Sequence, residues 1–397
     1  MTSRERVLKA LDHQEGDRIP IHDSPWVATV KRWREEGLPT GVSPAEYFGY
    51  EIVRFAADTT PRFPVQLVEQ DEEYEVHTTP YGGLRRDHKD YSTTPEIIDY
   101  PCKNREDWQK LKERLRADRG RVDWEGKWTQ ETAVDDRGDD SVLEADRVEW
   151  RRGLAGWQKA RRDGLFVAYT APVGYDKLQH YVATERLLIA IATEPEWVRE
   201  MYETDADLVM EMYRIMKAGG FEFDGAWILC DLGYRNGLLF SPRHFNEQLR
   251  PTFRRLFDFF HAEGLRVILH SCGNVKELIP LFIEDGLDCL QPLEVKAGMD
   301  LLELKREFGD RIAFMGGIDV RSMADPDPGV IEKEIRDKVL EAKKGGGYIY
   351  HSDHSVPNNV SLQQYRRVIE LVERFGAYDR QAGNSGPSAA VASRGQA

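Results

Sequence analysis

Cysteine is scarce in this chain: 4 in 397 residues, scattered at Cys102, Cys230, Cys272 and Cys289. That spacing in a large chain excludes a disulfide framework of the small secreted kind, so a cysteine with a special task is expected to be a ligand or a nucleophile. No apolar run reaches signal-peptide or membrane-span length, and Met1 to Leu11 carry charge in nearly every turn. No membrane association and a cytoplasmic setting are therefore expected. Positive charge is also in deficit, 55 basic against 69 acidic residues, for a net charge of -14 at pH 7. Such a balance disfavours indiscriminate binding to nucleic acid or to an acidic membrane surface. No Gly-x-Gly-x-x-Gly loop follows an early strand, which weakens a dinucleotide-binding reading. Small-molecule substrates and protein partners remain.

What is present is a hydrophobic content of 41%, enough for a sizeable core. A first helix is predicted from Thr2 or Ser3, with Val7, Leu8 and Leu11 at helical spacing. Short strands are predicted at Arg18 to His22 and Ile52 to Phe55. From Leu165 onward apolar runs recur at Phe166 to Tyr169, Gly225 to Leu229, Val267 to Leu269, Leu287 to Leu290, Ile312 to Met315 and Tyr348 to Tyr350, with amphipathic stretches between them. Strands alternating with helices imply a parallel sheet. Eight of them make the fold class α/β, a single (β/α)8 TIM-type barrel spanning 1–381. Two departures are expected: a β-hairpin excursion around 65–86, turning at Tyr81, Gly82 and Gly83, and a charged helical insertion over about 104–160 that carries Asp135, Asp136, Asp139 and Asp140. The stretch 382–397, mostly Gly, Ser and Ala, reads as a disordered tail.

Chemistry concentrates at His270, Ser271, Cys272, Gly273 and Asn274, directly after the run Val267 to Leu269. Side chains alternate along a strand, so His270 and Cys272 project to the same side. An imidazole and a thiol side by side at the carboxyl end of a buried strand can supply two ligands of a zinc site with room left for substrate. Other polar residues follow the remaining strands in order: Asp231, Glu294, Asp319, Asp353 and His354. Each also has a plainer reading. Asp231 can cap the next segment, Glu294 can pair with Lys296, His354 can hydrogen-bond in a substrate pocket, and Asp353 can cap the turn before Pro357. Gly316 and Gly317 either let backbone approach a ligand near Asp319 or mark a tight turn. His351, three positions before His354, is expected to point away. Tyr169, Tyr175 and Trp26 line an aromatic pocket or belong to the core.

The stretch from Gly174 to Phe375 resembles the uroporphyrinogen decarboxylase-like superfamily, which includes the decarboxylase and zinc-dependent methyltransferases that use methylated corrinoids. The matching pieces are His270 to Asn274, Gln291 to Glu294, Met315 to Val320 and Ser352 to Pro357, with Asp17, Arg18, Ile19 and Pro20 near the start. In the methyltransferase branch, as in the similar barrel of cobalamin-independent methionine synthase, a His-x-Cys pair holds zinc and later strands complete the site. The resemblance implies metal ligands at His270, Cys272, Glu294 and His354, the last standing where both patterns have a cysteine. It also places Asp231 and His354 among catalytic or pocket residues; strand-end position puts Asp319 and Asp353, and the aromatic-pocket reading puts Tyr175, beside the substrate. The decarboxylase branch carries an N-terminal Arg-Gln-Ala-Gly-Arg stretch; here that region reads His22, Asp23, Ser24, Pro25 and Trp26.

The expected function is therefore a zinc-dependent methyltransferase that moves a methyl group between a corrinoid and a small thiol or methylated substrate. Its cofactors would be Zn2+ with methylcobalamin or a protein-bound corrinoid, and a corrinoid protein is an expected partner. The alternatives are decarboxylation of uroporphyrinogen or a related tetrapyrrole, and a non-catalytic corrinoid- or metabolite-binding barrel. A zinc hydrolase of the usual barrel type would place a His-x-His pair on the first strand, where this chain has only His22 beside Asp23. Oligomeric state is left open by the sequence.

Overall fold

A computed structural model of the protein describes residues 1–90, 95–124 and 153–378. Seven parallel strands form one curled sheet: β1 (Ile52–Phe55), β6 (Phe166–Pro172), β7 (Gly225–Leu229), β10 (Arg266–His270), β11 (Cys289–Gln291), β12 (Ala313–Met315) and β13 (Tyr348–Ile349), hydrogen-bonded in that order. The expected first strand fills the remaining gap. Tyr350 donates its N–H to the Pro20 carbonyl at 2.9 Å, His22 donates to Tyr350 at 3.1 Å, and on the other side Glu51 donates to Ile21 at 2.9 Å. The segment forms bridges rather than a regular ladder because Pro20 has no N–H and Ile21 donates instead to the buried Glu51 carboxylate.

Alternation along the strands separates two cores. Ile52, Phe166, Ala168, Trp227, Ile268, Cys289, Ala313, Met315 and Ile349 pack inside the sheet, where Val7, Ala10 and Leu11 of the helix Ser3–Leu11 plug its lower end. Their neighbours Val167, Ala226, Ile228, Val267, Leu269, Leu290 and Phe314 face the surrounding helices. Arg54, His270, Gln291 and His351 each lie two positions beyond an inward residue, so the upper interior is polar where the lower is apolar.

The excursion is larger than a hairpin. Its expected strands are β3 (Tyr74–Thr78) and β4 (Leu84–His88), flanked by β2 (Leu67–Gln70) and β5 (Glu96–Asp99) in a four-stranded antiparallel sheet, and β8 (Gly233–Tyr234) pairs with β9 (Gly237–Leu238) after β7. β2 is exposed along its whole length, so no buried alternation announces it. Helices Arg105–Lys112 and Leu154–Arg162 stand at the two ends of the expected insertion. Asp135, Asp136, Asp139 and Asp140 lie outside the described residues, as does 382–397. No described helix is long and apolar enough to cross a membrane.

Closure of the sheet depends on Glu51, whose buried carboxylate pairs with Arg6 and, at 2.7 Å, with Arg18. Removing one member of a buried pair leaves the other charge uncompensated. Glu51→Ala is therefore expected to cost about 3–5 kcal/mol, read as a lowered urea midpoint. Arg6 also hydrogen-bonds Asp17 and holds that carboxyl down at about 2, below the ordinary carboxylate range. A depressed acid contributes stability that is full above its unfolded value, near 4, and is lost as pH falls through 2. Asp17→Asn should accordingly flatten the fall in unfolding midpoint between about pH 4 and 2. The same slope in both proteins would contradict this assignment.

Candidate metal and substrate site

A cavity of about 380 Å3 opens at the carboxyl ends of the strands. Trp26, Arg54, Trp227, Asp231, His270 and Cys272 lie on its walls, while Pro95, Ile97 and Tyr100, from β5 and its flanks, come over from the excursion. A larger cavity of about 540 Å3 lies at the opposite end of the strands, among Arg4, Asp12, Asp224, Arg266 and Asp288. Arg4 pairs with Asp224 and Arg266 with Asp12 there, so those charges neutralise one another.

Strand register assembles the upper site. His270 pairs with Leu229 of β7 on one side and with Gln291 of β11 on the other. Asp231 and Cys272 each lie two residues past that level. The His270 Nε2 is 3.4 Å from the Cys272 Sγ and 3.5 Å from the Asp231 Oδ1. The ligand atoms of all three lie within 4.8 Å of one another, and they form the group of this kind found among the described residues. The Cys272 N–H donates to Asp231 at 2.7 Å, which ties the two loops together. Burial, and then the carboxylates of Asp231, Glu294 and Asp176, push the Cys272 thiol well above its ordinary range. A cation among these groups would reverse that effect. Thiol, imidazole and carboxylate, with a cavity in front of them, are a donor set that fits zinc with an open coordination position.

The other expected residues are placed as follows. Glu294 accepts the Gly273 N–H at 2.7 Å and pairs with Lys296 at 2.9 Å, so the plainer reading describes its contacts and it stands outside the three-residue group. Asp231 is the third member of that group. His354 lines the cavity near Trp26, with ring centroids 6.2 Å apart, also outside that group. Burial and the Lys296 charge lower its pKa. Asp353 accepts from the Val295 and Val320 N–H groups at 2.9 Å and is pushed up to about 6, chiefly by burial. Asp319 caps the helix Val320–Met323 and holds Arg321. Tyr175 packs against Phe240, and the Tyr169 hydroxyl donates to Val209. Tyr169, Tyr175, Asp319 and Asp353 are thus off the cavity wall. Gly316 and Gly317 serve a close backbone approach to Pro292: a Cβ on Gly316 would sit 1.7 Å from the Pro292 carbonyl oxygen, to which the Gly317 N–H donates at 2.9 Å.

His351 lines the cavity, contrary to expectation, because inward Ile349 fixes its direction and counting back from His354 does not. Gln291, Arg54, Trp227 and Asp176 are wall residues that sequence reasoning passed over. Arg54 did give a signal, a charge inside an apolar strand; it is buried and stacks at 4.6 Å over Trp227.

The sequence matches the family model "Uroporphyrinogen decarboxylase (URO-D)" over residues 178–375. A comparison with curated proteins finds no match. Among solved structures, the chain is similar to a methyltransferase from Methanosarcina mazei, with 14% identity and a TM-score of 0.60 over 95% of this chain and 100% of that one. A B12-independent methionine synthase from Shewanella sp. is matched at 10% identity and a TM-score of 0.41, over 84% of this chain and 83% of that one. At such identity the first likeness establishes the fold.

Gly273 has φ +76°, and a Cβ there would meet the Gly233 carbonyl carbon at 2.2 Å. Gly273→Ala must therefore strain the loop that carries Cys272 and push it from Asp231. The expected loss is roughly 1–3 kcal/mol, measured by denaturant unfolding. Unchanged stability would contradict the close approach.

Proposed function

The chain belongs to the uroporphyrinogen decarboxylase-like superfamily, whose members include decarboxylases and methyltransferases, and from that premise we propose that it is a zinc-dependent methyltransferase. The methyl group moves between a corrinoid and a small thiol or methylated substrate. One observation carries this reading: His270 Nε2, Cys272 Sγ and Asp231 Oδ1 converge at the wall of a substrate-sized cavity. A zinc ion held there supplies the Lewis acidity that makes a substrate thiol nucleophilic near neutral pH. The Cys272 thiolate and the Asp231 carboxylate together balance a dication, while His270 adds no charge. Glu294 holds the Gly273 N–H, and with it the loop that carries Cys272. Trp26, Tyr100 and Trp227 give the substrate body an apolar wall, and the excursion narrows access from solvent. In the thiol-methylating direction the methyl group would pass from the corrinoid to the substrate sulfur, the electron pair of the cobalt–carbon bond staying with cobalt as cobalt(I) and the thiol proton going to solvent.

Tetrapyrrole decarboxylation is the weaker reading. A substrate bearing many carboxylates needs several cationic partners, and Arg54 is the one arginine among the described wall residues.

Metal analysis and a methylcobalamin assay against a panel of thiols test the proposal together. Purified protein should hold about one zinc per chain and demethylate methylcobalamin with a thiol acceptor. Cys272→Ser and Asp231→Asn should each lose zinc and turnover, whereas Glu294→Gln should keep most of its zinc. Metal-free protein that decarboxylates a porphyrinogen would overturn the proposal. Absence of both metal and turnover would favour a binding barrel.

A further inference from the structure

We propose that Gln291 and His351 are positioning residues that present the Nε2 lone pair of His270 to the metal. The His270 Nδ1 lies 2.5 Å from the Gln291 Oε1. An amide oxygen only accepts, so Nδ1 carries a ring proton, and in the neutral imidazole Nε2 then keeps the lone pair facing Cys272 and Asp231. His351 decides which way the Gln291 amide points. Its Nδ1 donates to the Ser352 carbonyl at 2.7 Å, which leaves Nε2 an acceptor, and that nitrogen faces the Gln291 Nε2 at 3.4 Å and the Ser24 Oγ at 3.4 Å. Turning the amide over would set its oxygen against the acceptor nitrogen of His351, and Gln291 and His351 are both nearly inaccessible to water. The direction of every bond in the chain Ser352, His351, Gln291, His270 is thus fixed from the last strand inward.

The frame behind this chain is rigid. Asp23 accepts the Tyr365 hydroxyl at 2.8 Å, the Tyr350 hydroxyl at 3.1 Å and the Ser24 N–H at 2.9 Å, and it also accepts the Ser352 hydroxyl. Register places Gln291 directly beside His270. A glutamine in this role orients the imidazole without a further negative charge, which suits a site that already holds a thiol and a carboxylate.

The effect on zinc affinity rests on the proposed metal site, but the tautomer of the metal-free protein does not. Ring 15N NMR of histidine-labelled, metal-free protein at neutral pH should show His270 protonated at Nδ1, the reverse of the form a histidine side chain prefers in water. Gln291→Met, close in shape but without the acceptor, should move the proton to Nε2 and weaken zinc binding about 10- to 100-fold with circular dichroism unchanged. Gln291→Glu restores an acceptor and should retain the Nδ1–H form. His351→Leu frees the amide to turn and should give a mixture. An Nε2–H tautomer in the wild type, or a Met variant with wild-type tautomer and zinc affinity, would overturn the relay even if zinc is stoichiometric. The expected tautomer in a protein that takes up no zinc would support the relay and defeat the metal reading alone.

Discussion

The parallel register between β7, β10 and β11 is the constraint from which the site follows. It sets Leu229, His270 and Gln291 at one level, and two residues further on Asp231 and Cys272 come within reach of the same imidazole. Neither loop could be positioned so closely by its own sequence. The register is held in turn by a closed sheet, and closure depends on Pro20 to His22 being gripped between Tyr350 and Glu51. A buried salt bridge near the N-terminus and the His270, Cys272 and Asp231 cluster on the far rim are thereby parts of one framework.

Polarity divides that framework along its axis. Below, the plug of Val7, Ala10 and Leu11 meets the inward Ile268 and Met315. Above, Arg54, Trp227, Gln291 and His351 surround the cavity floor. Burying polar groups costs free energy unless they are satisfied by one another, and the Trp227 indole N–H is left without a hydrogen-bond partner. The chain from Ser352 to His270 is one solution to that requirement, and it leaves one nitrogen lone pair directed at Cys272 and Asp231. Burial, and then the acidic neighbours, disfavour the Cys272 thiolate in the absence of a cation; the same neighbours favour a cation once the proton is gone.

Much of the barrel was legible because buried parallel strands read as continuous apolar runs: β6, β7, β10, β12 and β13 fall where such runs predict them. The outer strands of the excursion were not, since β2 buries nothing and β5 mixes Glu96 and Asp99 with two isoleucines. At the site, alternation was sufficient to pair His270 with Cys272. Which carboxylate lies beside the pair was not readable, because that depends on inter-strand register, which brings Asp231 from β7 while Glu294 turns to Lys296 and Gly273. Gln291 stood in plain view within the motif Gln291 to Glu294, yet its task depends on lying opposite His270.

X-ray absorption at the zinc edge tests the central claim most directly. Zinc-loaded protein should show a single sulfur at about 2.3 Å and nitrogen or oxygen neighbours at about 2.0–2.2 Å, with the sulfur contribution absent in any residual zinc of Cys272→Ser. A shell of oxygen and nitrogen only, or two sulfurs per zinc, would contradict the assignment of His270, Cys272 and Asp231 as the metal-holding group.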